Sequence, residues 1–187
     1  MFTFFTKLVL SKQMKFEEGS IILYGQPIIM FPVYGMIGIL KELEKNKYEK
    51  ILYYEYKTLG KKWTTVLRNT YKIKKGEIFQ TAGSNILAMA GWGIVKVADI
   101  DSKIPVIKFR FENSSVANAY GKTDHAVCHM FRGMAAGAMC IEYGKEMDGI
   151  ETKCKAMGAP YCEVVVKPSE QIDFSNKLVK SQLNPKK

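Results

Sequence analysis

The sequence predicts an α+β fold, an antiparallel sheet packed with helices. Three observations predict it. Apolar residues recur at helical spacing through Tyr48, Leu52, Tyr56, Leu59, Trp63 and Leu67. They alternate from Val106 to Glu112, where Ile107, Phe109 and Phe111 share one strand face. The segments run strands, helices, hairpin, helix, hairpin, without the regular strand–helix alternation of a parallel sheet.

Taken in order, Phe2–Leu10 and Met14–Tyr24 are expected as two strands separated by Ser11-Lys-Gln, forming an N-terminal part over 1–33. Residues 21–40 carry no charge and are long enough to span a bilayer. Yet Gly25-Gln-Pro27 and Phe31-Pro32 disfavour helix at the residue before each proline. We therefore expect a buried strand, a loop and the first turns of a core helix there, and no membrane span. Tyr34–Asn46 is the first helix. Tyr48–Tyr71 is a long amphipathic one, interrupted only by Gly60. After Lys74-Lys-Gly76, residues Ile78, Phe79, Ala82, Ile86 and Met89 mark another helix, which Gly91 and Gly93 end.

Trp92–Ile100 and Ile104–Glu112 form a hairpin around Asp99-Ile-Asp-Ser-Lys. Asn113-Ser-Ser is a loop. Thr123 or Asp124 is placed to N-cap a helix running to about Tyr143, because either side-chain oxygen accepts from free first-turn amides. Gly133 and Gly137 lie one turn apart on that helix and permit close approach of another element. Ile150–Ala156 and Tyr161–Lys167 make the last hairpin. Residues 168–187 read as a basic, polar, weakly ordered tail.

Composition narrows the function. A chain of 187 residues is expected to form one domain and buries roughly 70% of its unfolded surface, so it needs no staples. The formal net charge is +10, and residues 41–75 hold 11 Lys/Arg against 4 Asp/Glu. Such a surface suits nucleic acid or anionic lipid. Here the lysines alternate with an apolar stripe, as on a solvated helix face, and no zinc finger, helix-turn-helix or RNA-binding strand motif supports nucleic acid as a partner. No phosphate loop, nucleophile elbow or dinucleotide fingerprint is present to support catalysis. The two histidines, His125 and His129, are one turn apart on the expected helix, and such pairs more often serve packing than proton transfer or metal binding. Four cysteines and no secretory leader suggest a reducing, cytoplasmic setting.

The residues richest in chemistry are Cys128 and the segment Glu151-Thr-Lys-Cys154-Lys-Ala-Met-Gly158-Ala-Pro-Tyr-Cys162. If the flanks of the Met-Gly-Ala-Pro turn pair, both hairpin sulfurs approach one point, and the helix can supply Cys128. Three thiolates and a carboxylate describe a closed tetrahedral zinc site. Buried free thiols and a Cys154–Cys162 disulfide remain open beside it. Residues three apart on a regular strand face opposite sides, so Glu151 joins Cys154 only if the strand is irregular there.

The helix Cys128-His-Met-Phe-Arg-Gly133-Met-Ala-Ala-Gly137 and the closing hairpin resemble the 4-vinyl reductase domain family over roughly residues 34–167, most strongly from Asn113 onward. The chain has one residue more than the family pattern between Cys154 and Gly158. It is also similar to archaeal proteins described as predicted hydrocarbon-binding proteins. The resemblance implies a fold shared with TRAPP vesicle-tethering subunits and the nitric-oxide-signalling ligand-binding fold. It implies binding of a small apolar molecule, with vinyl reduction as the activity of one branch. It also implies zinc held by Cys128, Glu151, Cys154 and Cys162, and a homodimer formed through helices. The ligand-contacting His of the family's phenol sensors has no counterpart here, since Phe79, Gly83 and Ile86 occupy that stretch. A more apolar guest is therefore expected, walled by Phe79, Ile86, Trp92, Phe109, Phe111 and Phe131.

Overall fold

The computed structural model describes residues 2–78, 83–101 and 105–184. A helix, α1 (Phe2–Leu10), precedes a three-stranded antiparallel sheet of β1 (Met14–Glu17), β2 (Ser20–Leu23) and β3 (Gln26–Ile28). Both findings correct the expectation of two strands. Phe4, Phe5 and Leu8, at helical spacing, are the residues that α1 lays on the core. A short apolar run fits either period, and tertiary contact decides between them. The expected strand 14–24 folds back at Glu18-Gly19, pairing Glu17 with Ser20. It folds again at Tyr24-Gly25, where both residues have positive φ, as a two-residue hairpin turn requires.

Next come α2 (Val33–Lys45) and α3 (Glu49–Asn69), close to the expected bounds. Only Ile37 and Leu40 of α2 are buried, so it is a peripheral helix and not a core one. Tyr71, just beyond α3, packs edge-on against Tyr24 at 4.7 Å and ties the small sheet to the rest. A short helix, α4 (Gly83–Met89), then leads to β4 (Ile94–Asp101) and β5 (Val106–Glu112). A helix the sequence did not announce, α5 (Ser115–Tyr120), follows, with Ser114 accepting from the Ala117 amide at 3.2 Å. The central helix α6 (His129–Tyr143), β6 (Met147–Lys153), β7 (Cys162–Pro168) and α7 (Lys177–Gln182) complete the chain.

The main sheet has the order β4-β5-β7-β6, antiparallel throughout. Buried side chains of β5 and β7 alternate with half-buried ones, as the pattern in the sequence predicts. Helix α6 packs on the sheet, and α3 packs on α6. Nearly every residue of α6 is buried, a fit for its alanines and glycines. A Cβ on Gly133 would meet the Tyr53 carbonyl at 2.2 Å, and one on Gly137 the Lys57 carbonyl at 2.0 Å. From the facing side, a Cβ on Gly60 would meet the Met134 carbonyl at 2.4 Å. The two backbones are therefore in contact, and the glycines are used within the chain. They provide no surface for a homodimer.

Two further expectations change. Lys57, on the lysine-rich face of α3, is buried and paired with Asp148 at 2.7 Å instead of solvated. The expected tail is folded through residue 183: Ile172, Val179, Gln182 and Leu183 are buried, and Asn176 caps α7 by accepting from the Leu178 amide at 2.8 Å. Among the described residues, no helix is long and apolar enough to cross a membrane.

Candidate metal centre

Helix α6 starts later than the sequence predicts. Thr123 and Asp124 do not cap it. Residues 121–128 form an irregular approach, and Cys128 itself stands at the N-cap position. His125 therefore lies off the helix, and His129 is its first residue. The Cys128 amide donates to Glu151 Oε2 at 2.9 Å, so a carboxylate from β6 satisfies a free amide at the helix start.

Strand β6 carries the irregularity that Glu151 needs. Glu151 pairs with Val164 and Lys153 with Glu163, leaving Thr152 as an extra residue. This bulge turns Glu151 and Cys154 toward the same point. Beyond Cys154 a 3-10 turn, Lys155–Met157, ends at Gly158, whose φ of +93° favours glycine. The chain then returns to Cys162, which pairs with Phe111 of β5. The Lys155 amide donates to Cys162 Sγ at 3.3 Å, and Cys128 Sγ lies 3.5 Å from Cys162 Sγ.

One ligand atom from each of Cys128, Glu151, Cys154 and Cys162 falls within 4.8 Å of all the others, and all four residues are buried. A tetrahedral site with Zn–S bonds of ~2.3 Å has sulfur–sulfur edges of about 3.8 Å, so the cluster has the right size. All four cysteines are free, which removes the Cys154–Cys162 disulfide. Burial first, and the Cys154 thiolate second, push the Glu151 carboxyl up to about 8. Hydrogen bonds from Cys128 and Cys162 pull Cys154 down to about 2. Cys128 is driven well above an ordinary thiol by its hydrogen bonds to Cys154 and Cys162 and by burial. In Cys162, the bond with Cys128 acts downward but is outweighed by the one to Cys154 and by burial, so this thiol is also pushed up. The four groups thus resist carrying their charges together. Glu151 Oε1 is buried and has no hydrogen-bond partner, an arrangement that costs about 1–3 kcal/mol unless something binds it. A divalent cation answers both features. The donor set of three sulfurs and one oxygen fits zinc with no position left open.

The expected apolar wall adjoins this centre. Phe111 stacks on Phe131 at 4.4 Å between ring centroids, and Phe109 meets the same ring edge-on at 6.4 Å. Phe131 lies one turn along α6 from Cys128. Ile86 is buried on α4, and Trp92, half-buried between α4 and β4, meets Tyr56 at 6.0 Å. Phe79 lies outside the described residues. Sequence reasoning missed three neighbours of the site. Arg132 is fully buried and donates to the carbonyls of Gly149 and Gln182. Gln182 bonds the backbone of Glu151. Glu44 receives Tyr120 Oη at 2.5 Å and faces His125 at 3.3 Å. The spacing of Val179 and Leu183 marked α7, whereas nothing local in the sequence marks Glu44.

The architecture is shared with known proteins. The chain is similar to the phenol-responsive sensory domain of the transcription activator PoxR, solved with phenol: TM-score 0.74, 21% identity, and 94% of each chain covered. It is similar to a vinyl-4-reductase family protein from Methanocaldococcus jannaschii, with TM-score 0.50, 18% identity, and 76% of this chain and 83% of that one covered. It is also similar to a trafficking protein particle complex subunit 3 from Naegleria fowleri bound covalently to palmitic acid, with TM-score 0.55, 13% identity, and 73% and 93% covered. No curated protein matches the sequence. Residues 107–168 match the family model of the 4-vinyl reductase domain, and all four clustered ligands lie inside that span. The chain therefore carries a 4-vinyl reductase domain, in an α+β fold shared with the PoxR sensory domain and a TRAPP subunit.

Proposed function

We propose that this chain is a small-molecule-binding sensory domain, taking an apolar guest beside a structural zinc centre. One observation carries the reading: the candidate metal ligands and the aromatic wall are held by the same elements. Cys162 pairs across the sheet with Phe111, and Cys128 begins the helix that presents Phe131 to Phe111. Zinc held by Cys128, Glu151, Cys154 and Cys162 would fix β7 to the start of α6 and so set the wall's geometry. Pockets for small molecules are mostly apolar with few polar anchors, and Ile86, Trp92, Phe109, Phe111 and Phe131 supply such a lining. Phe79 completes it in the sequence reading. The PoxR domain responds to phenol, and the Naegleria subunit holds palmitic acid. Both support an apolar guest in this architecture. The four free thiols suit a reducing compartment such as the cytoplasm.

Trp92 gives the test a direct signal. Titration with phenol, an alkylphenol and a medium-chain fatty acid should shift tryptophan emission, and Trp92→Phe should abolish the shift while Trp63→Phe keeps it. Phe109→Ala should weaken binding more than it lowers stability. No emission change and no rise in Tm with any of these probes at millimolar concentration would sink the reading.

A further inference from the structure

We infer that Gln182 is a positioning residue of the metal centre, and that metal binding and docking of helix α7 are therefore coupled in both directions. The inference rests on the zinc reading above.

Strand β6 is an edge of the main sheet, so one side of its backbone lacks a strand partner. At Glu151 the Gln182 side chain takes the place of that partner. The Glu151 amide donates to Gln182 Oε1 at 2.8 Å, and Gln182 Nε2 donates to the Glu151 carbonyl at 2.8 Å. The pair of bonds fixes the Glu151 backbone on the side opposite β7. It does so immediately before the bulge at Thr152, where the ladder to β7 is irregular and holds Glu151 least firmly. Gln182 is 2% exposed, so water does not stand ready to replace it.

Gln182 is itself held by elements that carry the site. Its carbonyl accepts from Arg132 Nη2 at 3.1 Å, and Arg132 also donates to the Gly149 carbonyl at 3.0 Å, two residues before Glu151. Arg132 lies one turn after Cys128 on α6. From α3, Lys50 Nζ donates to the carbonyls of Lys180 and Leu183 at 2.9 and 3.2 Å, and Tyr54 Oη accepts from the Asn184 amide at 2.9 Å. Helix α7 thus reaches the metal ligand through one side chain and the rest of the domain through several. A ligand that binds better when α7 is docked must hold α7 docked by the same factor.

The full chain tests this. Gln182→Met keeps the volume and removes both bonds to Glu151. Removal of a partner that orients a metal ligand costs about 10- to 100-fold in affinity. Zinc release to a chromogenic chelator should accelerate to that extent, and the visible d–d bands of the cobalt-loaded variant should change because the carboxylate is displaced. Leu40→Ala, a core change on the distant helix α2, should lower stability while leaving release and spectrum as in wild type. In the reciprocal experiment, on wild type alone, chelation should raise amide exchange across residues 172–184 and zinc should restore protection. Wild-type protein that binds no zinc would overturn the zinc reading and this inference with it. Zinc bound normally, with wild-type release and spectrum in Gln182→Met, would overturn this inference alone. So would α7 exchange that ignores the metal.

Discussion

The 4-vinyl reductase segment, 107–168, and the first 48 residues solve the burial problem in opposite ways. In the former, polar groups are inside, and directional contacts hold them. Arg132 is sequestered with two carbonyls and the Tyr53 ring, and Asp148 accepts from Tyr53, Lys57 and Ser169. In the N-terminal part apolar groups are outside: Ile29, Met30 and Tyr34 are 85%, 80% and 75% exposed. A buried polar group tolerates few positions, whereas an amphipathic segment can slide without losing much. The comparison teaches that rigidity here follows directional chemistry and not hydrophobic content. The metal centre should therefore dominate stability, helix contact should come next, and the joint between the two regions should matter least.

Cys154→Ser tests the first term. A structural zinc contributes on the order of 10 kcal/mol to a domain whose stability is about 5–15 kcal/mol. The variant should be unfolded or nearly so by urea titration. Cys140 is also buried but lies away from the cluster, receiving the Met147 amide at 3.3 Å. Cys140→Ser should cost about 1 kcal/mol, the scale of one weakened hydrogen bond. Equal effects from the two substitutions would break the comparison, because the cluster would then be ordinary core.

Gly137→Ala tests the second. Its Cβ would press on the Lys57 carbonyl, a backbone atom that moves only if α3 moves. The cost should reach the upper part of the roughly 1–3 kcal/mol typical of overpacking. Zinc content should survive, since Gly137 is more than two turns beyond Cys128. Chemical denaturation together with metal analysis checks both statements.

Legibility in the sequence follows the same division. The ligands were readable because cysteines around a turn have few other uses. The bulge was readable because Glu151 could not otherwise join Cys154. The long stripe of α3 and the alternation of β5 fixed those elements closely. In α1 the stripe was too short to separate helix from strand. The N-terminal hairpins hid because Gly19 and Gly25 were taken as breaks in one strand instead of turns between three. The start of α6 was misplaced because Thr123 and Asp124 look like caps. There the carboxylate of Glu151, distant in sequence, meets the helix end instead. Contacts such as Glu151 with Gln182 or Glu44 with His125 join residues with no sequence relation, so no local pattern announces them.

The joint between the two regions gives the smallest and most specific effect. Helix α2 docks on α5 and the loop after it, where Glu44 receives Tyr120 and faces both His125 at 3.3 Å and His129 at 3.6 Å. Asp124 lies on the other side of the His125 ring at 3.0 Å. Burial acts to lower the His125 pKa, but the bonds and charges of Asp124 and Glu44 outweigh it and raise the value above 6.5. A raised folded-state pKa means that the stability due to the imidazolium is fully present below pH 6.5. It is lost as pH rises through the folded value. Its side chain is 46% exposed, so solvent screening keeps the contribution below about 1 kcal/mol. His125→Gln should therefore cost roughly a few tenths of a kcal/mol or more at about pH 5.5, and that cost should shrink toward zero by about pH 8.5. Buried His129 titrates in both proteins, so the difference between wild type and variant isolates His125. Paired urea titrations at the two pH values measure it. A difference that is flat with pH, or that grows as pH rises, would mean that this joint is held by packing of α2 on α5 and not by charge.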